Sequence, residues 1–158
     1  MSIHRFETTH LLPIPRDEAW RFFSNPRNLD RITPPEMGFT ITSEVTDEVY
    51  PGMMLTYRIR PLFNILVTWV TEIKHVTPGE RFVDEQRAGP YAMWHHEHHF
   101  GDIEGGTEMR DIVHYAVPGG PLGDIINHCL VQRKVAEIFA HRSRVLDGMF
   151  GAIAHDPN

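Results

Sequence analysis

The sequence predicts an α+β fold in which an antiparallel sheet packs against one long C-terminal helix. Between residues 39 and 117 the apolar side chains recur with a period of two, which is typical of strands. Residues 121–151 instead form an amphipathic pattern of roughly eight helical turns. Gly119-Gly120-Pro121 provides the entry to this helix, because proline is tolerated in a first turn. Strands grouped before a helix, rather than alternating with helices, indicate α+β and not α/β.

The other strands and helices are predicted from runs of β-forming residues and from the glycine and proline residues that interrupt them. Residues 3–12 predict a first strand, which Pro13-Ile14-Pro15 ends, and residues 16–24 predict a short helix. Residues 28–32 add one or two further turns, giving two short helices after the first strand. Six more strands are predicted at 39–47, 53–60, 65–76, 81–87, 92–102 and 107–117. Their short, Gly- and Pro-rich connections imply antiparallel neighbours. No repeat or linker interrupts the chain, so residues 1–158 are expected to form a single domain.

The C-terminal helix has one apolar face that needs a large partner surface. On a helical wheel this face contains Ile125, Cys129, Ala136, Phe139, Ala140, Leu146 and Phe150. Two polar side chains, His128 and Gln132, fall on the same face. Either they reach water near a frayed start of the helix, or the helix faces a partly polar cavity. Both interpretations remain open from the sequence.

Composition excludes several classes of protein. The formal charge of −6 gives no basic face for nucleic acid and no electrostatic attraction to anionic membranes. The single cysteine cannot form an internal disulfide, and no apolar run reaches the length of a signal peptide core or a membrane span. We therefore expect a cytoplasmic protein without integral membrane association. No phosphate-binding loop, dinucleotide fingerprint or nucleophile motif is present.

The densest chemical signal is the sixth predicted strand, Met93-Trp94-His95-His96-Glu97-His98-His99-Phe100. Alternation places Trp94, His96, His98 and Phe100 on one face and Met93, His95, Glu97 and His99 on the other. The aromatic residues at both ends mark the first set as the inner face. His96 and His98 are therefore predicted to be buried between Trp94 and Phe100.

Neighbouring strands bring acidic and amide side chains to the same inner face. A hairpin through Gly105-Gly106 puts Asp111 opposite His98 or one pair away, and the fifth strand offers Asp84 and Gln86. A buried carboxylate is costly unless it is paired, and a histidine supplies a charge-assisted hydrogen bond. We therefore predict that Asp111 pairs with His98 and raises the pKa of that imidazole.

Three interpretations of this cluster remain open. It is a structural network whose polar groups hydrogen-bond to one another, or the polar end of a ligand cavity, or a metal site built on His96-x-His98. The metal interpretation is disfavoured, because no third or fourth ligand is evident in the sequence. The expectation is therefore no metal and no cofactor.

Several stretches resemble the START-like (SRPBCC) helix-grip superfamily, which includes polyketide cyclase/dehydrase-type lipid-binding proteins, plant allergens and coenzyme Q-binding proteins. The similarity rests on Pro15-Arg16-Asp17-Glu18-Ala19-Trp20 to Asn25-Pro26, and on Trp69-Val70-Thr71-Glu72-Ile73. It is most specific at Phe82-Val83-Asp84-Glu85-Gln86, Gly89-Pro90-Tyr91, Trp94 to Phe100, Asp111-Ile112-Val113-His114-Tyr115, and Pro118-Gly119-Gly120-Pro121-Leu122. The resemblance implies a curved seven-stranded sheet wrapped around the C-terminal helix with a cavity between them. Within the superfamily the sequence is most similar to a bacterial polyketide cyclase/dehydrase-like ligand-binding branch, whose members are also similar to domains fused to nucleotide-sugar-epimerase-like proteins.

The expected function is binding of a small, largely hydrophobic ligand between sheet and helix, in a cavity of roughly 300 Å³ or more. The alternatives are a cyclase or dehydratase, acting on a polyketide-like or steroid-like substrate with His96 or His98 as general base, and a domain that acts through a protein partner or as a homodimer. The candidate ligand-binding residues are Trp69, Asp84, Gln86, Trp94, His96, His98, Asp111, Tyr115, His128, Gln132 and Phe139.

Overall fold

Seven antiparallel strands form one curved sheet in the computed structural model, which describes residues 1–153. Their order across the sheet is β1-β7-β6-β5-β4-β3-β2, so the first and seventh strands are neighbours and the others follow the chain. The strands are β1 (His4–Leu12), β2 (Thr40–Ile41), β3 (Met54–Ile59), β4 (Val67–Thr77), β5 (Arg81–Ala88), β6 (Met93–Ile103) and β7 (Gly106–Ala116). The predicted α+β class and strand number are confirmed. Residues 154–158 of the predicted domain lie outside the described part of the chain.

The segment between β1 and β2 contains helix α1 (Arg16–Phe23) and three single 3₁₀ turns, at Pro26–Asn28, Asp30–Ile32 and Pro35–Met37. The sequence predicted the first helix correctly, and predicted one or two turns where the structure has three. Trp20 of α1 lies edge-on to Phe82 and Phe100 of the sheet, with ring centroids 5.9 and 5.6 Å away. The segment thereby covers one end of the sheet with an apolar core.

The second strand is much shorter than the predicted 39–47. After Thr40–Ile41 pair with β3, three backbone amides of the predicted strand and its continuation to residue 49 bond outside a strand ladder. The amide groups of Thr42 and Ser43 both donate to the carbonyl of Thr56, and the Val49 amide donates to Ser24. Alternating side chains therefore did not suffice to define a strand here, because the chain turns away to pack beneath α1.

The C-terminal helix runs from α2 (Pro121–Ile126) through a π turn (Asn127–Val131) into α3 (Gln132–Phe150). Its position and length are confirmed, but the predicted apolar face is partly wrong. Phe139 and Leu146 are buried, whereas Ile125, Cys129, Ala136 and Ala140 are exposed. The buried stripe consists of Asn127, Val131, Val135, Phe139 and Leu146.

Two physical effects explain this displaced face. The π turn inserts an extra residue into the helical repeat and rotates everything that precedes it. Small alanine side chains gain little from burial, whereas the larger Val131 and Val135 gain more and so determine which side docks on the sheet. Among residues 1–153, no helix is long and apolar enough to span a membrane.

The β6–β7 hairpin sets the register that matters most for the site. Ile103 pairs with Gly106 across a two-residue turn, and this register places His98 directly opposite Asp111, as predicted. Gly106 is also required sterically, because a Cβ atom there would lie 1.9 Å from the carbonyl oxygen of Leu12. The hairpin register therefore fixes which inner-face side chains of β5, β6 and β7 lie side by side beneath the C-terminal helix.

Candidate functional site

A cavity of about 160 Å³ lies between the sheet and the C-terminal helix. It is smaller than the 300 Å³ expected from the sequence. Cavities of about 150 Å³ hold a single benzene ring, so this one fits a ligand of similar width without rearrangement. Side chains from β3, β4, β5, β6, α3 and the 3₁₀ turns all contribute to its wall.

Most of the wall is aromatic. Trp69 stacks on Tyr57 at 5.8 Å and meets Trp94 edge-on at 5.4 Å, and Tyr91 packs against both tryptophans. Burial raises the pKa of Tyr57 and of Tyr91, so both phenols stay protonated. Phe139 closes the wall from the helix. An apolar aromatic surface of this kind favours a flat, hydrophobic guest.

At the polar end of the cavity, two closely packed, tilted imidazoles lie between two carboxylates. The rings of His96 and His98 have centroids 3.7 Å apart. His96 Nε2 lies 2.7 Å from Asp111 Oδ1, and His98 Nε2 lies 2.7 Å from Asp84 Oδ2. We call Asp84, His96, His98 and Asp111 the His–Asp quartet. All four lie on the inner face predicted from the alternation of β5, β6 and β7.

The predicted pairing of Asp111 with His98 needs one correction. The two residues are register partners, and His98 Nδ1 lies 3.3 Å from Asp111 Oδ1, but their orientation does not form a hydrogen bond. Asp111 bonds to His96 instead, and His98 bonds to Asp84. Side chains on neighbouring strands cross diagonally here, so the directly opposite residue is not the best-aligned partner.

Arg142 from α3 adds a positive charge to the quartet. Its Nη1 lies 3.7 Å from Asp111 Oδ1, its guanidinium carbon lies 4.8 Å above the ring of Phe139, and its side chain is 12% exposed. The sequence analysis missed this residue. The available signal was a charge at helical spacing between two buried side chains, Phe139 and Leu146.

The pKa shifts within the quartet point in different directions. Burial alone would raise the pKa of Asp111, but the hydrogen bond from His96 and the charges of the histidines and Arg142 bring it well below its ordinary value. Burial would likewise raise the pKa of Asp84, but the hydrogen bond from His98 and the nearby charges outweigh burial and lower it. Both carboxylates are therefore ionised at neutral pH.

The pKa values of the two histidines shift in opposite directions. Burial would lower the pKa of His98, but its contacts with Asp111 and Asp84 outweigh burial and raise that pKa above 6.5. Burial and the neighbouring His98 lower the pKa of His96 below 6.5, despite its bond to Asp111. Relative to a free imidazole, the charged form is thus favoured at His98 and the neutral form at His96.

The hydrogen bond to Asp111 also determines the tautomer of His96. Because an ionised carboxylate only accepts, His96 Nε2 carries the proton and donates it. Nδ1 is left with a lone pair, and it forms no hydrogen bond with any residue of the described chain. His96 lines the cavity, and its Nδ1 lies 3.8 Å from Asp84 Oδ2. When His96 is neutral, the polar end therefore presents this acceptor to the cavity. Two buried nitrogens nearby, His98 Nδ1 and Arg142 Nε, have no hydrogen-bond partner among the described residues.

The remaining candidate residues occupy different places. Trp69, Asp84, Trp94, His96, His98 and Phe139 line the cavity. Asp111 and Tyr115 are buried behind the wall, and Gln86 holds Tyr91 through two hydrogen bonds to its backbone. His128 and Gln132 are exposed and lie away from the cavity, because the π turn and the docking of Val131 and Val135 rotate them outward. Other lining residues missed by the sequence analysis include Tyr57, Thr71, Tyr91, Lys134 and Ile138.

Three cavity-facing groups, from Asp84, His96 and His98, have potential ligand atoms within 4.8 Å of one another. Asp84 is a third side chain of ligand type, which the sequence analysis did not place beside the two histidines as a metal ligand. The ring arrangement nevertheless disfavours a metal, because an imidazole lone pair lies in the plane of its ring. The centroids of the two rings lie 3.7 Å apart and their planes are inclined by 31°, so their lone pairs lie in separate, roughly parallel planes, which is a poor arrangement for binding one ion.

We therefore predict that Zn²⁺ and Fe²⁺ do not copurify stoichiometrically with this protein. The measurement is elemental analysis of protein purified without chelators, compared with the His96→Ala variant. A content near one metal per chain that disappears in His96→Ala would overturn the prediction.

The outer face of β6 carries a second set of histidines with a different environment. His95 bonds to Glu85 and His99 bonds to Glu97, each at 2.8 Å, and all four side chains are half-buried rather than enclosed. The bond from His99 lowers the pKa of Glu97. These pairs lie on the side of the sheet away from the cavity and provide matched controls for the quartet.

Solved structures resemble this chain over nearly its whole length. Protein Ms6760 from Mycobacterium smegmatis has a TM-score of 0.68 at 17% identity, covering 94% of this chain and 96% of its own. Ara h 8.0201 has a TM-score of 0.59 at 16% identity, covering 92% and 99%. The fold is the helix-grip fold. No family model and no curated protein matches the sequence.

A further similar structure contains this fold as a part. The nucleoside-diphosphate sugar epimerase from Corynebacterium glutamicum has a TM-score of 0.63 at 22% identity, and the match covers 89% of this chain but only 28% of the epimerase. At these identities the comparisons show the fold alone, and they identify no ligand.

Proposed function

We propose that this protein binds a small, largely hydrophobic ligand in the cavity between the sheet and the C-terminal helix. The observation that carries the proposal is the aromatic cavity ending on the hydrogen-bonded His–Asp quartet. Small-molecule sites combine apolar walls with a few fixed polar groups in this way. The aromatic wall would provide affinity, and the polar end would orient the ligand.

The size of the cavity suggests the first probe. 4-Fluorotoluene has one ring and a fluorine that reports binding directly by ¹⁹F NMR. We expect saturable shifts or line broadening with folded protein and none with protein unfolded in urea. Mass spectrometry of organic extracts from gently purified protein tests for natural ligands in parallel. Absence of saturable probe binding together with empty extracts would refute the proposal.

A second candidate is a cyclase or dehydratase that acts on a polyketide-like or steroid-like substrate. The neutral imidazole of His96 favours this alternative, because Asp111 fixes its tautomer and leaves Nδ1 free to accept a proton in the cavity. This assigns the general-base role to His96 rather than His98. Binding and catalysis differ in what is recovered: a binding protein returns its ligand unchanged, whereas an enzyme returns a product of altered mass or connectivity.

A further inference from the structure

Two side chains that line the cavity each carry a buried N–H group without a hydrogen-bond acceptor. They are Arg142, through Nε at the polar end, and Trp69, through Nε1 in the aromatic wall, and neither nitrogen has a partner among residues 1–153. Building on the proposed ligand-binding function, we propose that the ligand is a neutral carbonyl compound whose oxygen accepts a hydrogen bond from Arg142 Nε. The ligand class is thus a compact, single-ring ketone or amide, rather than a hydrocarbon or a carboxylate.

The first step of the argument is the chemical nature of these two groups. A guanidinium in a protein stays protonated and only donates, and an indole nitrogen likewise only donates. Their donor character is therefore independent of how the histidines of the quartet are protonated. A buried donor without an acceptor destabilises the ligand-free protein, and a ligand that supplies the acceptor removes this cost.

The second step is the position of Arg142. Its Nη1 lies 3.7 Å from Asp111 Oδ1, and its guanidinium carbon lies 4.8 Å from the centre of the Phe139 ring, which also lines the cavity. These contacts hold the guanidinium in place, so a ligand does not have to order a mobile side chain. His98 Nδ1 lies 3.3 Å from the same Asp111 oxygen without a hydrogen bond, and it is a further donor when that ring is charged.

The third step is the charge of the ligand. The carboxylates of Asp84 and Asp111 already lie at this end of the cavity, each bonded to a histidine. A ligand carboxylate would bring a third negative charge into a buried site, where repulsion and the loss of hydration both oppose it. A carbonyl supplies an acceptor oxygen without that charge. A hydrocarbon of the same shape would leave Arg142 Nε unpaired.

The experiment measures the binding of three single-ring compounds by ¹⁹F NMR: 4-fluoroacetophenone, 4-fluoro-α-methylstyrene and 4-fluorobenzoate. The first two have the same shape, because the alkene replaces the carbonyl oxygen of the ketone with a CH₂ group. The third carries a carboxylate. We expect the ketone to bind the wild type more tightly than 4-fluorobenzoate does.

The decisive comparison uses Arg142→Met, which keeps an unbranched side chain and removes the donor. Because the alkene is more hydrophobic than the ketone, each compound is compared with itself in the two proteins. The ketone should lose about tenfold in affinity, which corresponds to one hydrogen bond, and the alkene should lose none. Arg144→Met is the matched control, since Arg144 is exposed on the same helix, and it should leave both affinities unchanged.

If Arg142→Met does not fold, the Nε–H proton resonance of Arg142 in the wild type decides the matter. A new hydrogen bond moves this resonance downfield, whereas the fluorinated ring alone shifts it equally for ketone and alkene. We expect a larger downfield shift with the ketone. Equal shifts with the two compounds would count against the proposal.

An Arg142→Met variant that binds the ketone as tightly as the wild type, or that weakens ketone and alkene equally, would overturn the carbonyl proposal and leave the proposed ligand-binding function intact. Tighter binding of 4-fluorobenzoate than of the ketone would overturn it too, as would binding of 4-fluorotoluene without binding of the ketone. If neither 4-fluorotoluene nor any of the three compounds binds, the proposed function fails, and the carbonyl proposal fails with it.

Discussion

Replacing Asp111 with alanine is expected to destabilise the protein by about 3–5 kcal/mol, the range for removing one partner of a buried charged pair. Asp111 is 1% exposed and contacts His96, His98 and Arg142 together. Its loss removes the acceptor of the His96 Nε2 proton and the carboxylate beside Arg142, whereas His98 keeps its bond to Asp84. The milder Asp111→Asn keeps the shape and loses only the charge, so about 1–3 kcal/mol is expected.

Urea unfolding measures this loss, and Glu97→Ala is the matched control. Glu97 pairs with a histidine of the same strand, but on the accessible outer face, where such pairs contribute about 0–1 kcal/mol. If Asp111→Ala and Glu97→Ala lower the free energy of unfolding by similar amounts, Asp111 is not part of a buried, charged network as described above.

The Asp111→Asn substitution should also change the pH dependence of the free energy of unfolding. Because the folded pKa of Asp111 is depressed, its contribution is present above the unfolded value of 3.8 and is lost as the pH falls through the folded pKa. The stability difference between wild type and Asp111→Asn should therefore be largest near neutral pH and shrink in acid.

The contribution of His98 to stability should be lost as the pH rises, whereas that of Asp111 is lost as the pH falls. Its raised pKa means that its contribution is fully present below 6.5 and is lost as the pH rises through the folded pKa. Removing the Asp111 charge should lower the pKa of His98 in an NMR titration. An unmoved His98 titration together with unchanged stability would contradict the coupling of these residues.

Filling the cavity is expected to weaken probe binding strongly while preserving the fold. Ile138 lies on α3, lines the cavity and is only partly buried, so Ile138→Trp adds a large ring on the cavity side with room to adjust. An indole occupies most of a cavity of about 160 Å³. We expect the affinity for 4-fluorotoluene to fall at least about tenfold, the loss of roughly 1.4 kcal/mol or more of binding free energy.

Ala136→Trp provides the control, since Ala136 is exposed two residues earlier on the same helix. This variant should bind 4-fluorotoluene with wild-type affinity, and both variants should give wild-type far-UV circular dichroism. Undiminished binding to Ile138→Trp would mean that the probe occupies another surface, and the cavity would then no longer be the proposed site.

Short-range periodicity allowed the sequence to determine most of the sheet and the chemical character of its inner face. Alternation along β6 identified His96 and His98 as inward-facing, and the glycine-rich hairpin put Asp111 opposite His98. Both inferences depend only on residues that are close in sequence, where a strand repeats every two residues and a tight turn fixes the register. The α+β class followed in the same way.

The tertiary structure alone decided how the elements meet. The phase of the C-terminal helix depends on a π turn and on docking of Val131 and Val135, so exposure of His128 and Gln132 and approach of Arg142 were not deducible locally. The exchange of partners, with Asp111 on His96 and Asp84 on His98, depends on side-chain direction across three strands. The volume of the cavity likewise reflects the summed packing of distant segments, for which no periodicity in the sequence provides a measure.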